Sequence, residues 1–264
     1  MAAPAVAHAL TGPPDGPVTL VLHGGGPGCH SASDFAGVLA LRRDRRHLVV
    51  DLPRYGASGA LDDDGPAFTG YAGVLAGLLD RLGVGEVDVL AQSLGGSVAL
   101  RLAADEPHRV RRMLVIGSAP VPGADAGLGA RVRADYYGGT GPDPEKMRRL
   151  IADLEWHDGD AVPEATVQAR YRASTTPVAL ATATGGRGAP EDLTDALPRV
   201  AAPTLVVRGR HDPFAPTSYA AALVDALPAG DLAVLGRTAH HPQAERPDAV
   251  ARLAASFLDP DPRS

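Results

Sequence analysis

Short runs that are apolar at nearly every position alternate with stretches whose apolar residues recur every three to four places. The run over 18–22, Val-Thr-Leu-Val-Leu, ends in His23 and three glycines, the pattern of a buried strand entering a tight loop. Similar runs lie at 47–51, 87–91, 113–116, 204–207 and 232–235. Strands apolar on both faces suit a parallel sheet covered by helices on each side. The intervening segments predict helices over 33–43, 71–82, 94–104, 216–227 and 247–258. This alternation reads as an α/β class domain with a mostly parallel, doubly wound sheet.

The rhythm breaks after Ile116. No strand-like run returns before Thr204, and residues 121–197 read as loops and helices. Segments 144–154 and 163–174 each open with proline, which a first helical turn accepts. We expect 121–197 to form a helical cap above the C-terminal sheet edge, where such folds bind ligands, and 1–120 with 198–264 to form the core. A plain long crossover is the alternative. No internal repeat is evident, and residues 259–264 read as a loose tail.

Composition narrows the function. The chain has 264 residues, 45% hydrophobic, with mixed charges, which argues for a folded domain and against disorder. A formal net charge of −6 argues against a nucleic-acid partner. The lone cysteine, Cys29, excludes an intrachain disulfide framework and a Cys-rich zinc site. No apolar run approaches the roughly 18 residues of a membrane span. The N-terminal ten residues lack a signal-peptide pattern, so a cytoplasmic protein is expected. The single lysine, Lys146, has no glycine-rich loop before it and makes no phosphate-binding Walker motif. The expected partner is a small-molecule substrate, with no cofactor and no metal; a homodimer or higher homo-oligomer is left open.

Ala91-Gln92-Ser93-Leu94-Gly95-Gly96 stands between a predicted strand and a predicted helix. A serine on that turn is lifted clear of the sheet, with the next amide at a helix N-terminus, although Ala91 replaces the first glycine of G-x-S-x-G. By itself the segment equally fits a helix cap. A hydroxyl nucleophile needs a base, and the base an orienting acid. Asp212 follows the 204–207 strand and His240 follows the 232–235 strand, in the order Ser, Asp, His. Three strand-end loops then bring Ser93, His240 and Asp212 to one place. His23-Gly24-Gly25-Gly26-Pro27-Gly28 adds backbone N–H groups, and the amides of Gly25 and Leu94 are the expected oxyanion hole. A dinucleotide loop fits poorly, because Pro27 intrudes and Cys29 occupies the third glycine position.

With these motifs the chain resembles the α/β-hydrolases, and within them the meta-cleavage-product hydrolases that cut carbon–carbon bonds of ring-opened aromatic compounds. The resemblance rests on 23–28 with Phe35, on Asp51-Leu52-Pro53 with Tyr55, Gly56 and Ser58, and on 93–96. It continues through Gly209, Asp212, Phe214 and Pro216 to His240, Gln243 and Glu245. It implies the α/β-hydrolase fold with a lid. In segment 163–177 it also implies that Arg170 binds substrate, its guanidinium pairing with a carboxylate or steadying an enolate; a solvated surface arginine is the alternative.

Several positions depart from that pattern. Gln92 and Asp34 stand where the family has asparagines, Ala32 where it has tryptophan, His241 where it has an aromatic residue, and Arg54 where it has glycine. Asp34, Gln92 and His241 are expected to line the pocket with Gly26 and Phe214. Trp156, in the insertion, is either lid core or a substrate contact. His211, His30 and Cys29 read as supporting or packing residues, and Asp62-Asp63-Asp64 as a solvated loop. An anionic Asp34 would disfavour a substrate carboxylate beside it. The resulting expectation is a serine-triad hydrolase of vinylogous 1,5-diketone acids, through an acyl-enzyme or a gem-diol. The alternatives are an ester, lactone or thioester hydrolase, and a non-hydrolytic cyclase or receptor on the same fold.

Overall fold

A computed structural model of the chain describes residues 5–61, 65–125, 127–184 and 188–259. The acidic run at 62–64 and the tail beyond Asp259 lie outside the described residues. Seven strands form one sheet: β1 (His8–Thr11), β2 (Val18–Leu22), β3 (Arg46–Val50), β4 (Val87–Gln92), β5 (Val110–Ile116), β6 (Thr204–Gly209) and β7 (Gly230–Leu235). Their order is β1-β3-β2-β4-β5-β6-β7, with β1 antiparallel to β3 and every other pair parallel.

The helices in chain order are α1 (Ser31–Asp34), α2 (Ala36–Leu41), α3 (Ala67–Leu82) and α4 (Leu94–Asp105). Then come α5 (Leu128–Tyr137), α6 (Pro144–Leu150), α7 (Glu164–Ser174) and α8 (Pro177–Thr184), all between β5 and β6. Last are α9 (Thr217–Asp225), α10 (Pro242–Glu245) and α11 (Pro247–Leu258). No helix among the described residues is long and apolar enough to cross a membrane.

Side-chain alternation along the inner strands separates two cores. Leu20, Leu22, Val89, Ala91 and Val115 pack against α3 and α4 on one face. Val21, Leu90, Leu114, Ile116 and Val207 meet Phe35, Val38, Val250 and Leu258 on the other. This double coverage is why these strands read as unbroken apolar runs. A third cluster, Tyr136, Met147, Leu150, Ile151, Val162 and Val167, lies wholly within the helical segment between β5 and β6.

The structure adds elements that the apolar pattern does not mark. All four residues of β1 are exposed, so this strand rests on backbone pairing with β3 rather than on burial. The helix expected over 33–43 is two short helices meeting at Phe35. Past Leu150, α6 widens into one π-helical turn over Ile151–Glu155.

Gly95 shows how closely α4 enters the core. A Cβ there would stand 2.6 Å from the His23 carbonyl oxygen and 2.7 Å from Leu22 Cβ. Because backbone forms most of that wall, Gly95→Ala should cost about 1–3 kcal/mol, as overpacking does. Denaturant melts of the two proteins check this, and equal midpoints would refute it.

Candidate active site

Ser93 joins β4 directly to α4. Its backbone takes φ 48° and ψ −112°, a strained region for a residue with a side chain, and such strain concentrates at functional turns. The turn is pinned on both sides: Ser93 N–H donates to Ile116 O at 2.7 Å, and Ser97 N–H donates to Ser93 O at 3.1 Å. In the loop after β6, Asp212 accepts from the Phe214 amide at 2.9 Å. Beyond β7, Nδ1 of His240 meets Asp212 Oδ2 at 2.9 Å. An ionised Asp212 keeps the proton on Nδ1 and leaves Nε2 as the basic nitrogen.

Burial opposes ionisation of Asp212, yet the His240 ring, the Arg208 guanidinium and the Phe214 amide together hold its carboxyl below the ordinary range. Arg208 is itself buried, 3.4 Å from Asp212 Oδ2. The His240 backbone is fixed as well, since Gln92 Nε2 donates to its carbonyl at 3.1 Å, and the Phe214 ring lies 4.2 Å from the imidazole.

The glycine loop is held from below by His23. Burial lowers this imidazole to about 4, so it is neutral: Nδ1 pairs with Gly24 O at 2.6 Å and Nε2 accepts from Leu52 N–H at 2.9 Å. The loop's Gly25 and Gly26 line a cavity of about 610 Å³ together with Ser93, Leu94, His240 and Phe214. Val132, Leu150 and Leu154 supply apolar wall from the segment between β5 and β6. Gln92 and His241 complete the expected residues that reach this cavity.

Arg170, Asp34 and Trp156 do not line it, which departs from the expectation of substrate contacts. They border a separate cavity of about 120 Å³, with His241 common to both. Arg170 is 2% exposed. Its Nη1 and Nη2 donate to the two Glu155 oxygens at 2.9 Å each, and its Nε and Nη2 donate to Pro27 O at 3.0 and 2.8 Å. A guanidinium so committed is a clamp between α7 and the glycine loop, not an open anion site. Asp34 is enclosed in α1 because its side chain faces inward. Its Oδ2 has no hydrogen-bond partner among the described residues, and burial pushes its carboxyl up to about 6. Trp156 packs on the hydrophobic cluster of α5, α6 and α7.

Glu155 escaped the sequence reading, although it lines the main cavity. Burial raises its carboxyl, but the charge and hydrogen bonds of Arg170 outweigh that and hold it below the ordinary range. The available signal was an acid in register with Met147 and Ile151, at steps of four along an apolar helical face. Cys29, Glu155 and His241 bring possible ligand atoms within 4.8 Å of one another. The Arg170 cation bonded to both Glu155 oxygens makes that cluster unsuited to a metal ion. His241 is buried and lowered to about 3, hence neutral. His211 stacks on His157 at 4.1 Å, and neither lines the main cavity. Arg54 takes φ 73°, a left-handed backbone that explains the glycine expected there from the resemblance.

A model of the alpha/beta hydrolase family matches residues 19–253. The chain is 32% identical over 251 residues to 2-hydroxymuconate semialdehyde hydrolase of Pseudomonas putida, covering 90% of this chain and 86% of that protein. Among solved structures it resembles a meta-cleavage product hydrolase of Pseudomonas fluorescens, with a TM-score of 0.83 at 24% identity over 96% and 94% of the two chains. A 2-hydroxy-6-oxo-6-phenylhexa-2,4-dienoate hydrolase of a Rhodococcus species gives a TM-score of 0.80 at 26% identity, over 97% and 95%. With a mostly parallel seven-stranded sheet and a serine at its strand-to-helix turn, this chain belongs to the α/β-hydrolase family and is a hydrolase.

Proposed function

We propose that Ser93 is the nucleophile, His240 the general base and acid, and Asp212 its orienting partner, with the amides of Gly25 and Leu94 receiving the oxyanion. One observation carries this reading: Ser93, the Asp212-bonded His240 and both loop segments line a single cavity. Ser93 Oγ attacks a carbonyl carbon while Nε2 takes its proton. The tetrahedral oxyanion collapses, the leaving group takes that proton, and water then frees the acyl fragment by the same steps. Residues 121–197 act as the cap, contributing Val132, Leu150 and Leu154 over the nucleophile.

The relatives' names support a carbon–carbon bond as the one cleaved. In a vinylogous 1,5-diketone, His240 or the Ser93–His240 pair first ketonises the dienol. After attack at the far carbonyl the bond breaks, its electron pair is delocalised into the conjugated system, and the carbon is protonated. Ester, lactone or thioester hydrolysis is the second reading, favoured by Arg170 being bonded to Glu155 where a carboxylate partner was expected. Asp34 adds to this. Above its pKa of about 6 it places another negative charge behind the loop.

Ser93→Ala should lower turnover by about a thousandfold or more and abolish labelling by a fluorophosphonate; turnover within tenfold of the parent would contradict the assignment. Comparing p-nitrophenyl esters with a vinylogous 1,5-diketone acid tells the two bond types apart.

Asp34 supplies a pH test. Its folded pKa lies above the unfolded one, so the folded state favours the protonated acid, and that stability is present below pH ~4 and lost as pH rises through about 6. Asp34→Asn should therefore gain stability over the parent as pH rises from ~4 to ~6, reaching on the order of 2 kcal/mol, and hold that lead at pH 8. Chemical melts across this range measure it; a pH-independent difference would rule out the buried charge as the cause.

A further inference from the structure

Arg170 and Glu155 are both enclosed, yet only Glu155 faces the main cavity. The guanidinium sits behind it, with Nε, Nη1 and Nη2 all engaged by Glu155 and Pro27. Gly28, at φ 70°, lies against the Arg170 backbone carbonyl, where a side chain would have no room. Helix α7 and the glycine loop are thus locked together, and Arg170 has no slack to swing toward a ligand. Around this cation stand Glu155, Asp34, the Cys29 thiol and His241, so its charge is already balanced or exceeded. A substrate carboxylate arriving here would join one or two resident anions about one guanidinium with almost no donor left. Farther along the cavity wall, Asp125, Glu191 and Asp192 outnumber Arg133. Most of the remaining wall, including Pro120, Val121, Pro122, Leu154 and Phe214, is apolar.

We propose that Glu155 is the specificity-determining residue: it occupies Arg170 and faces the cavity in its place, so the site takes acyl compounds that are uncharged at the end reaching the glycine loop. This rests on the Ser93 reading above and narrows its substrate class. Cleavage follows the steps already given, with no charged group needed on the acyl side. Glu155 acts through Arg170 and through its own charge, and it exchanges no proton with substrate.

The test uses a pair of fluorophosphonates alike in chain length, one ending in methyl and one in carboxylate. In the parent protein the uncharged probe should inactivate Ser93 at least tenfold faster than the anionic one. Glu155→Gln removes the resident anion and leaves the Arg170 charge uncompensated behind the cavity wall, so the ratio should move at least tenfold toward the carboxylate probe, through tighter binding rather than a faster covalent step. Should Glu155→Gln fold poorly, the double variant Glu155→Gln/Arg170→Gln removes both charges and should again prefer the uncharged probe. Equal rates with both probes in the parent, or an unmoved ratio in folded Glu155→Gln, would overturn the proposal. Absence of labelling by either probe would instead remove the nucleophile assignment on which it stands.

Discussion

The tightest constraint in this molecule is the direct join of β4 to α4. β4 is covered on both faces, and α4 begins two residues after its last buried position. With no loop to absorb the change of direction, Ser93 takes it up alone at φ 48°. Neighbouring features follow from that turn. Gly95 lacks a Cβ because α4 starts against the β2 backbone, and Ser93 N–H finds its acceptor at the end of β5. The parallel register of β2, β4, β5, β6 and β7 brings their C-terminal ends to one edge, so His23, Ser93, Asp212 and His240 emerge on the same side. The arrangement of the site is therefore a consequence of how the sheet is buried.

Beside this edge sits a second, ionic constraint. Burying a guanidinium and a carboxylate together has a desolvation cost of several kcal/mol per ion, which good geometry offsets only in part. An apolar pair of similar volume would fill the same space more simply. What the Glu155–Arg170 pair supplies that an apolar pair does not is direction: two parallel hydrogen bonds fix the guanidinium plane, and that plane reaches the Pro27 carbonyl. The loop bearing Gly25 and Gly26 is held from beneath by His23 and from the insertion side by Arg170. The π-helical turn at Ile151–Glu155 belongs to the same device, since it ends on the residue that meets Arg170.

Much of this was legible in the sequence for definite physical reasons. Inner strands such as β2 and β4 announce themselves because burial on both faces demands apolar residues throughout. The Asp212–His240 contact was readable because each residue lies in the loop that follows a strand. β1 was not readable, since a strand exposed at every position carries no hydrophobic signature. Arg170 shows a subtler limit. It faces inward beside Val167 and Ser174 on α7, but its partner Glu155 lies fifteen residues earlier, at the end of the preceding π-helical turn. A residue's orientation follows from local periodicity, whereas its partner depends on tertiary packing.

The division between chemistry and selectivity follows from the same geometry. Groups that would handle protons and the oxyanion all come from the sheet edge, where backbone hydrogen bonds across the parallel register hold them in place. On the proposed reading selectivity would come largely from the segment between β5 and β6, whose core of Tyr136, Met147, Ile151 and Val167 is separate from the two sheet cores. A substitution in that segment can change which ligand is welcome without disturbing the strand ends. Glu155 is such a position: one carboxylate on a helical turn would set the charge presented to a substrate, while the Ser93 turn and the His240–Asp212 bond rest on other elements. Relatives that share the sheet edge can therefore differ in substrate, and fold similarity constrains the type of attack more tightly than the molecule attacked.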